Sequence, residues 1–318
     1  MTTPATDHVL LTRFNVPTPG RESLIRAQDG WLRDRIVLFE KYCLPSVLAQ
    51  TTPDFEWIIY FDPESPRWFT DWADGWCTDR RFHAIYRASI SREELLSDVR
   101  SVTGGRARTL LTTNLDTDDG LATDFVERLQ AAVTGQRREA LYLTSGIILQ
   151  DTAAYLRHDP VNAFCSVAEP WNDPVMAWAD WHNRLGRIMP VVQVGGGPGW
   201  LQVVHGRNVS NTVHGRPTHP HEHACRFPAV LKGLPPVHPS HLLLDTVLRR
   251  PLRVARSTLR HGTKTVALVL LGPDGFTQAK DTAATTVNRF RGWAGGAVGT
   301  VHAPSHRYPE ARVPDATQ

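Results

Sequence analysis

RTLLTTNLDTDDGLATDFVERLQ, residues 108–130, runs from a Leu- and Thr-rich segment through Asp116, Asp118 and Asp119 into a helical pattern. A strand, an acidic turn and a helix in that order admit four readings of the acids. A calcium loop fits at Asp116, Asp118 and Glu127. It fails where an oxygen ligand and an obligatory glycine belong, because Gly120 and Leu121 stand there, and because a strand rather than a helix precedes the loop. A structural turn at Asp118 and Asp119, with Thr123 capping the next helix, accounts for one or two of the acids but not for three. A carboxylate pair for proton transfer is weakened by the exposure that adjacent acids on such a turn retain. A hard divalent cation explains more, since Mg²⁺ or Mn²⁺ takes one or two carboxylates together with substrate phosphates. The Asp-x-Asp spacing after a parallel strand suits it; the turn remains the competing reading, and Asp119 stays open between ligand and turn.

Outward from this stretch, HVLLTRF (8–14), FEWIIYFD (55–62) and RFHAIYRA (81–88) read as strands bounded by turn formers. From Trp31 to Gln50 the apolar residues Ile36, Phe39, Tyr42, Cys43 and Val47 recur with helical period, and Pro45 should kink or split that helix. Ser91 and Glu94 have capping-box spacing. Further strands are expected at 139–149, 163–170 and within 190–211, a His- and Pro-rich loop at 212–239, and a helix from Ser240 to His261 broken near Pro251; TVALVLLG (265–272) reads as a buried strand or helix turn. Alternating strands and helices over the first 135 or so residues imply a largely parallel sheet covered by helices, with ligands beyond the carboxyl ends of the strands. The acidic motif lies at such an end.

The 318 residues are 41% apolar and 21% charged, a globular balance. Thirty-five basic against 32 acidic residues leave +3, which argues against a nucleic-acid partner. Cys43, Cys77, Cys165 and Cys225 are too scattered for a zinc knuckle or a disulfide framework. No leader-like start and no apolar run of membrane-spanning length is found, so the expectation is a cytoplasmic protein without a transmembrane segment.

HVLLTRFN, FEKYCLPSVLAQ, FEWIIYFDPESP, TTNLDTDDGLATDFV, AFCSVAEPW, WADWHNRLG and PGWLQVVHGRNVSN together resemble the putative rhamnosyltransferase family of GT-A-fold glycosyltransferases, over roughly residues 8–215. The expected organisation is α/β and GT-A-like: a mostly parallel central sheet covered by helices, with a C-terminal helical extension. Residues 1–235 would form the nucleotide-sugar-binding and catalytic domain, 236–295 an extension packed on it, and 296–318 a flexible tail. The resemblance implies a transferase that uses a nucleotide-sugar donor. Asp116 and Asp118, with Asp119 as a third candidate, would hold Mn²⁺ or Mg²⁺ on the donor diphosphate. The sugar would be a hexose or a deoxyhexose such as rhamnose, and the acceptor a glycan, a lipid-linked molecule or a small molecule.

In a sheet of that type Arg13 and Asn15 after the first strand, and Asp62 after the second, face the nucleotide from the same edge as Asp116; a loop salt bridge or turn is the plain alternative for each. A late histidine completes the metal shell in many such enzymes, which points to His205 first and His214 second. The HPHEH run (219–223) lacks a fourth ligand at zinc spacing. In AEPWNDPVMAWADWHN (168–183), Asp180 is the first choice for general base and Glu169 the second. Trp171, Trp178 and Trp181 are candidates for stacking on a sugar face, against a helix cap and core indoles as the plain reading. A base implies inversion, its absence retention. The Arg-rich stretch 249–264 reads as a solvated face. Two other functions compete: a non-catalytic nucleotide-sugar or glycan-binding protein of the same fold, and a sugar nucleotidyltransferase. The latter needs a Gly-rich basic loop after the first strand, where residues 15–30 have few glycines.

Overall fold

The apolar runs form β1 (Thr6–Arg13), β2 (Glu56–Phe61), β3 (Phe82–Tyr86) and β4 (Thr109–Asn114). In the computed structural model, which describes residues 6–17, 30–76, 79–135, 137–205 and 213–235, these four are mutually parallel in the order β4-β1-β2-β3. Strands buried on both faces favour apolar sequence, which β2 has almost unbroken, whereas β1 and β4 bury His8, Thr12, Thr109, Thr112 and Thr113 beside their Leu and Val side chains. Successive side chains pass to opposite faces. Leu10, Trp57, Ile59, Phe61 and Leu111 enter one core, and Val9, Leu11, Ile58, Tyr60 and Leu110 the other.

The first core is covered by α1 (Trp31–Leu38), a π-helical turn (Phe39–Cys43), α2 (Leu44–Leu48) and α3 (Arg67–Trp76); the second is covered by α4 (Arg92–Thr103). The disturbance expected at Pro45 takes the form of a π turn within one continuous helical run from Trp31 to Leu48. Proline has no N–H to give and crowds the carbonyl four residues back, and the π turn just before α2 widens the ladder there. The capping box at α4 is present in both directions, with Glu94 N–H donating to Ser91 Oγ (3.1 Å) and Ser91 N–H to Glu94 Oε2 (2.8 Å). Thr123 does not cap the next helix. Helix α5 (Phe125–Ala132) has Asp124 at its N-cap, and that carboxylate instead accepts from Arg226 Nη1 (2.6 Å).

The sheet continues past β4 through β9 (Ser166–Pro170, antiparallel), β6 (Glu139–Leu143) and β10 (Val191–Val194), giving β10-β6-β9-β4-β1-β2-β3. A second sheet has the order β12-β8-β7-β11-β5. It comprises β5 (Gly120–Leu121), β7 (Ser145–Gln150), β8 (Ala153–His158), β11 (Trp200–Val204) and β12 (Arg216–Thr218). The single strand expected over 139–149 is therefore two strands in different sheets. At the break, Trp200 Nε1 donates to the Leu143 carbonyl (2.8 Å) and its ring lies where a Cβ on Gly146 would be, 2.0 Å away. The loop expected at 212–239 contains β12, a 3₁₀ turn (Pro220–His223) and α6 (Pro228–Leu231). This is the α/β, mostly parallel architecture expected. The C-terminal extension, the tail, the helix from Ser240, the 265–272 segment and the Arg-rich stretch lie outside the described residues. Among the described residues, no helix is long and apolar enough to cross a membrane.

A buried polar chain crosses β1, β4 and β9: His8 Nε2 to Thr113 Oγ1 (2.9 Å), and Thr113 Oγ1 to Ser166 Oγ (2.8 Å). Burial lowers the His8 imidazole from its ordinary 6.5 to about 3. A histidine with a depressed folded-state pKa stabilises the fold fully above about 6.5 and loses that contribution as pH falls towards about 3, because the unfolded chain takes up the proton first. Denaturant melts of wild type and His8→Gln at several pH values should show the wild type losing up to about 1.4 kcal/mol more per pH unit across that window. Parallel acid limbs would refute it.

Candidate active site

The parallel strands bring their carboxyl ends to one edge. With Leu11 opposite Asn114, which ends β4, Arg13 at the end of β1 and Asp116 in the turn after β4 lie two residues further along the same register, and Asp62 follows β2 on the other side of β1. The Arg13 guanidinium lies 4.0 Å from the Trp178 ring centroid, and Trp178 Nε1 donates to Asn114 Oδ1 (2.8 Å). The loop carrying Asp180 is thereby tied to the strand that leads into Asp116. Asn15 joins the same edge as a clasp. Its Oδ1 accepts the Asp62 N–H (3.0 Å) and its Nδ2 donates to Ser65 Oγ (2.9 Å), so both ends of the buried amide hold the β1 and β2 loops together. Asn15 therefore has a structural part at this edge.

The three acids of the turn have different surroundings. Asp116 is exposed, Asp118 half-buried and Asp119 only 1% exposed. Asp119 Oδ1 accepts the Val203 N–H (2.9 Å), and burial, then the charges of Asp118 and Asp116, push its carboxyl well above the usual carboxylate range. Asp119 is thus the pin between the turn and β11 rather than a third carboxylate facing solvent, which corrects its place among the metal candidates. For Asp118, burial opposes ionisation, but the hydrogen bond with His205 and the charges of Arg35 and His205 outweigh it and hold the group below its ordinary value.

His205 arrives through the second sheet. Strand β11 runs antiparallel to β5, with Trp200 opposite Leu121 and Leu201 opposite Gly120; continued outward, that register sets His205 level with the acidic turn. The contact is direct, His205 Nε2 to Asp118 Oδ2 at 2.9 Å. His214 stands just before β12, whose Arg216 is level with Leu156 of β8 and through it with the Leu201 end of β11, away from the end His205 follows. In the 3₁₀ turn, His223 Nε2 meets Thr218 Oγ1 (2.9 Å) and His219 packs near His221. Among the described residues, no three His, Cys, Asp or Glu groups already converge as a metal cluster.

Glu169 and Trp171 are at the wrong end of the sheet. Glu169 pairs with Leu110 at the start of β4, six residues before Asp116, or about 20 Å at strand rise. It is fully buried, ion-paired to Arg138 Nε (2.6 Å), and accepts the N–H groups of Val175 (3.0 Å) and Met176 (2.7 Å). It pins a loop and has no route to an acceptor hydroxyl. Trp171 Nε1 donates to Asp7 Oδ2 (3.1 Å), beside the first residues of β1. Trp178 is covered by Arg13 and packs near Tyr60, so its role is in shaping the rim, whereas Trp181 is 70% exposed. Asp180 is half-buried, with Oδ1 accepting the Trp181 N–H (2.7 Å).

Two groups beside the turn had no signal in the sequence. Arg35 of α1 is a helix cation like many others, yet its charge acts on Asp118 and Asp119. Thr117, between Asp116 and Asp118 in the chain, is fully buried, and its Oγ1 has no hydrogen-bond partner among the described residues.

Residues 7–217 match the family described as Putative rhamnosyl transferase. The chain belongs to this family. It is a glycosyltransferase, and the acidic turn lies within the matched region. No curated protein matches the chain. Solved structures similar to it include a putative nucleotide-diphospho-sugar transferase from Desulfovibrio desulfuricans G20, at 11% identity over 61% of this chain and 81% of that one, with a TM-score of 0.31. Residues 1–349 of TarS from S. aureus, in complex with UDP-GlcNAc, share 10% identity over 68% and 63%, with a TM-score of 0.39. The inositol-1-phosphate CTP transferase from T. maritima shares 8% over 66% and 94%, with a TM-score of 0.34. Likenesses this loose carry neither a substrate nor a residue role to this chain.

Proposed function

We propose that this glycosyltransferase moves a hexose or deoxyhexose, such as rhamnose, from a nucleoside-diphosphate donor to an acceptor hydroxyl with inversion, and that it depends on Mn²⁺ or Mg²⁺. The observation that carries the reading is the contact of His205 with Asp118 beside the exposed Asp116, at the carboxyl edge of the parallel strands. The residues fit such a cation. Two carboxylates and an imidazole are a donor set that Mn²⁺ accepts, and a nucleotide enzyme leaves the remaining positions to phosphates and water, so a closed protein cage is not required. Asp116, Asp118 and His205 would hold the ion, which when bound offsets the charge that develops on the departing diphosphate.

The chain's own groups supply the rest. Arg13, level with Asp116, is placed to meet a phosphate or the base, and Asp62 the ribose or base. Exposed Trp181 offers a flat apolar face for the acceptor. The acceptor oxygen bonds to the anomeric carbon as the carbon–oxygen bond to the diphosphate breaks, and the hydroxyl proton passes to Asp180, which stands next to that indole. The acceptor can be a glycan, a lipid-linked molecule or a small molecule.

Calorimetric titration with UDP, GDP and dTDP, with and without Mn²⁺, tests the donor assignment. One of the three should bind, and more tightly with the metal; Mn²⁺-dependent binding of none would end the reading. Asp180→Asn should then lower kcat by roughly 10²–10⁴ while leaving donor affinity unchanged. An unaltered kcat would remove Asp180 as base and favour retention.

A further inference from the structure

Arg35 holds a buried donor with no acceptor beside the acidic turn. Its Nε is shielded from solvent and has no hydrogen-bond partner among the described residues. The side chain is held in place: its guanidinium carbon lies 5.2 Å from the ring centroid of Trp31, a buried residue one turn earlier on α1. That helix is also locked to the segment leaving the turn. Through the π turn it continues to Ser46, whose Oγ accepts the Leu121 N–H (3.0 Å), while the Tyr42 carbonyl lies in contact range of a Cβ on Gly120. Arg35 is therefore fixed relative to Asp116–Asp119, and its charge is felt by Asp118, Asp119 and the buried Cys43.

A buried N–H with no acceptor forfeits its hydration for nothing in return. Guanidinium cannot escape the cost by losing its proton, and its planar fork matches phosphate oxygens. We propose that Arg35 grips a phosphate of the nucleoside-diphosphate donor, supplying from α1 a second positive contact beside the one held by the acidic turn. This rests on the donor reading above. It gives α1 a part in donor binding that no motif in its sequence announces. It also explains why a cation whose charge acts on Asp118 and Asp119 is kept there without its Nε bonding to either.

The test uses the full chain with Mn²⁺ and whichever of UDP, GDP and dTDP the wild type binds, compared with the matching nucleoside. Arg35→Gln should weaken the diphosphate at least about tenfold and leave nucleoside affinity and melting temperature unchanged. Arg35→Lys, which keeps the charge but not the fork, should fall between the two. If Arg35→Gln binds the diphosphate as wild type does, the proposal falls and the donor reading stands. Equal losses for diphosphate and nucleoside would also overturn it, since a structural role moves both together. If the wild type binds none of the three, the donor reading has failed and takes this proposal with it.

Discussion

Replacing Asp118 with asparagine should abolish Mn²⁺-dependent nucleotide binding while leaving the fold intact. The amide keeps the size of the carboxylate and can still hydrogen-bond to His205, now 2.9 Å away, but it removes the charge a hard cation needs. Substitutions one shell away from a metal cost roughly 10–100-fold in affinity, so losing the direct ligand proposed above should cost at least about 100-fold, with transfer activity falling in parallel. Stability should change little. Removing the Asp118 charge relieves the buried Asp119 but also forfeits the attraction of His205 and Arg35 that holds Asp118 below its ordinary value, so the two effects oppose each other. His205→Ala should give a smaller loss of the same kind, and the double variant little more than Asp118→Asn alone, because residues acting as one unit are not additive. An Asp118→Asn protein whose Mn²⁺-dependent affinity stays within threefold of wild type would remove the cation from this turn.

Glu169→Ala should do the reverse, damaging stability and sparing chemistry. The carboxylate is fully buried against Arg138 and two backbone N–H groups, and truncating it leaves those donors unpaired. Breaking a buried pair costs about 3–5 kcal/mol. Arg138 is 34% exposed and can recruit water, so the lower end applies, a fall in melting temperature on the order of 10 °C. Measured well below that temperature, kcat and donor affinity should match wild type. A variant with unchanged melting temperature and kcat reduced more than tenfold would return Glu169 to the chemistry.

These two carboxylates show where reading the chain succeeds and where it stops. The placement of Asp116, Asp118, Arg13 and Asp62 at one edge was legible because alternating strands and helices favour a parallel sheet, and a parallel sheet gathers its strand ends on one edge. Glu169 misled because its strand runs antiparallel to β4, which sends the carboxylate to the opposite edge; nothing in AFCSVAEP states that direction. The division at Gly146 was hidden for a similar reason. It depends on a Trp200 ring more than fifty residues away.

Legible in the chain alone were the alternating pattern, the apolar run of β2, the capping box of α4, a disturbance of the helix near Pro45, and an acidic turn at a strand's carboxyl end. All are local consequences of side-chain period, backbone chemistry and spacing. The tertiary structure decided which acids of that turn face outward. The two-residue strand β5 carries no sequence signal, yet its antiparallel pairing with β11 buries Asp119 under the Val203 N–H and delivers His205 to Asp118. It also decided that Arg35 keeps a buried, unpaired Nε beside them. Register and burial are set by contacts distant in the chain, so residue types could nominate the members of the site but not assign their roles.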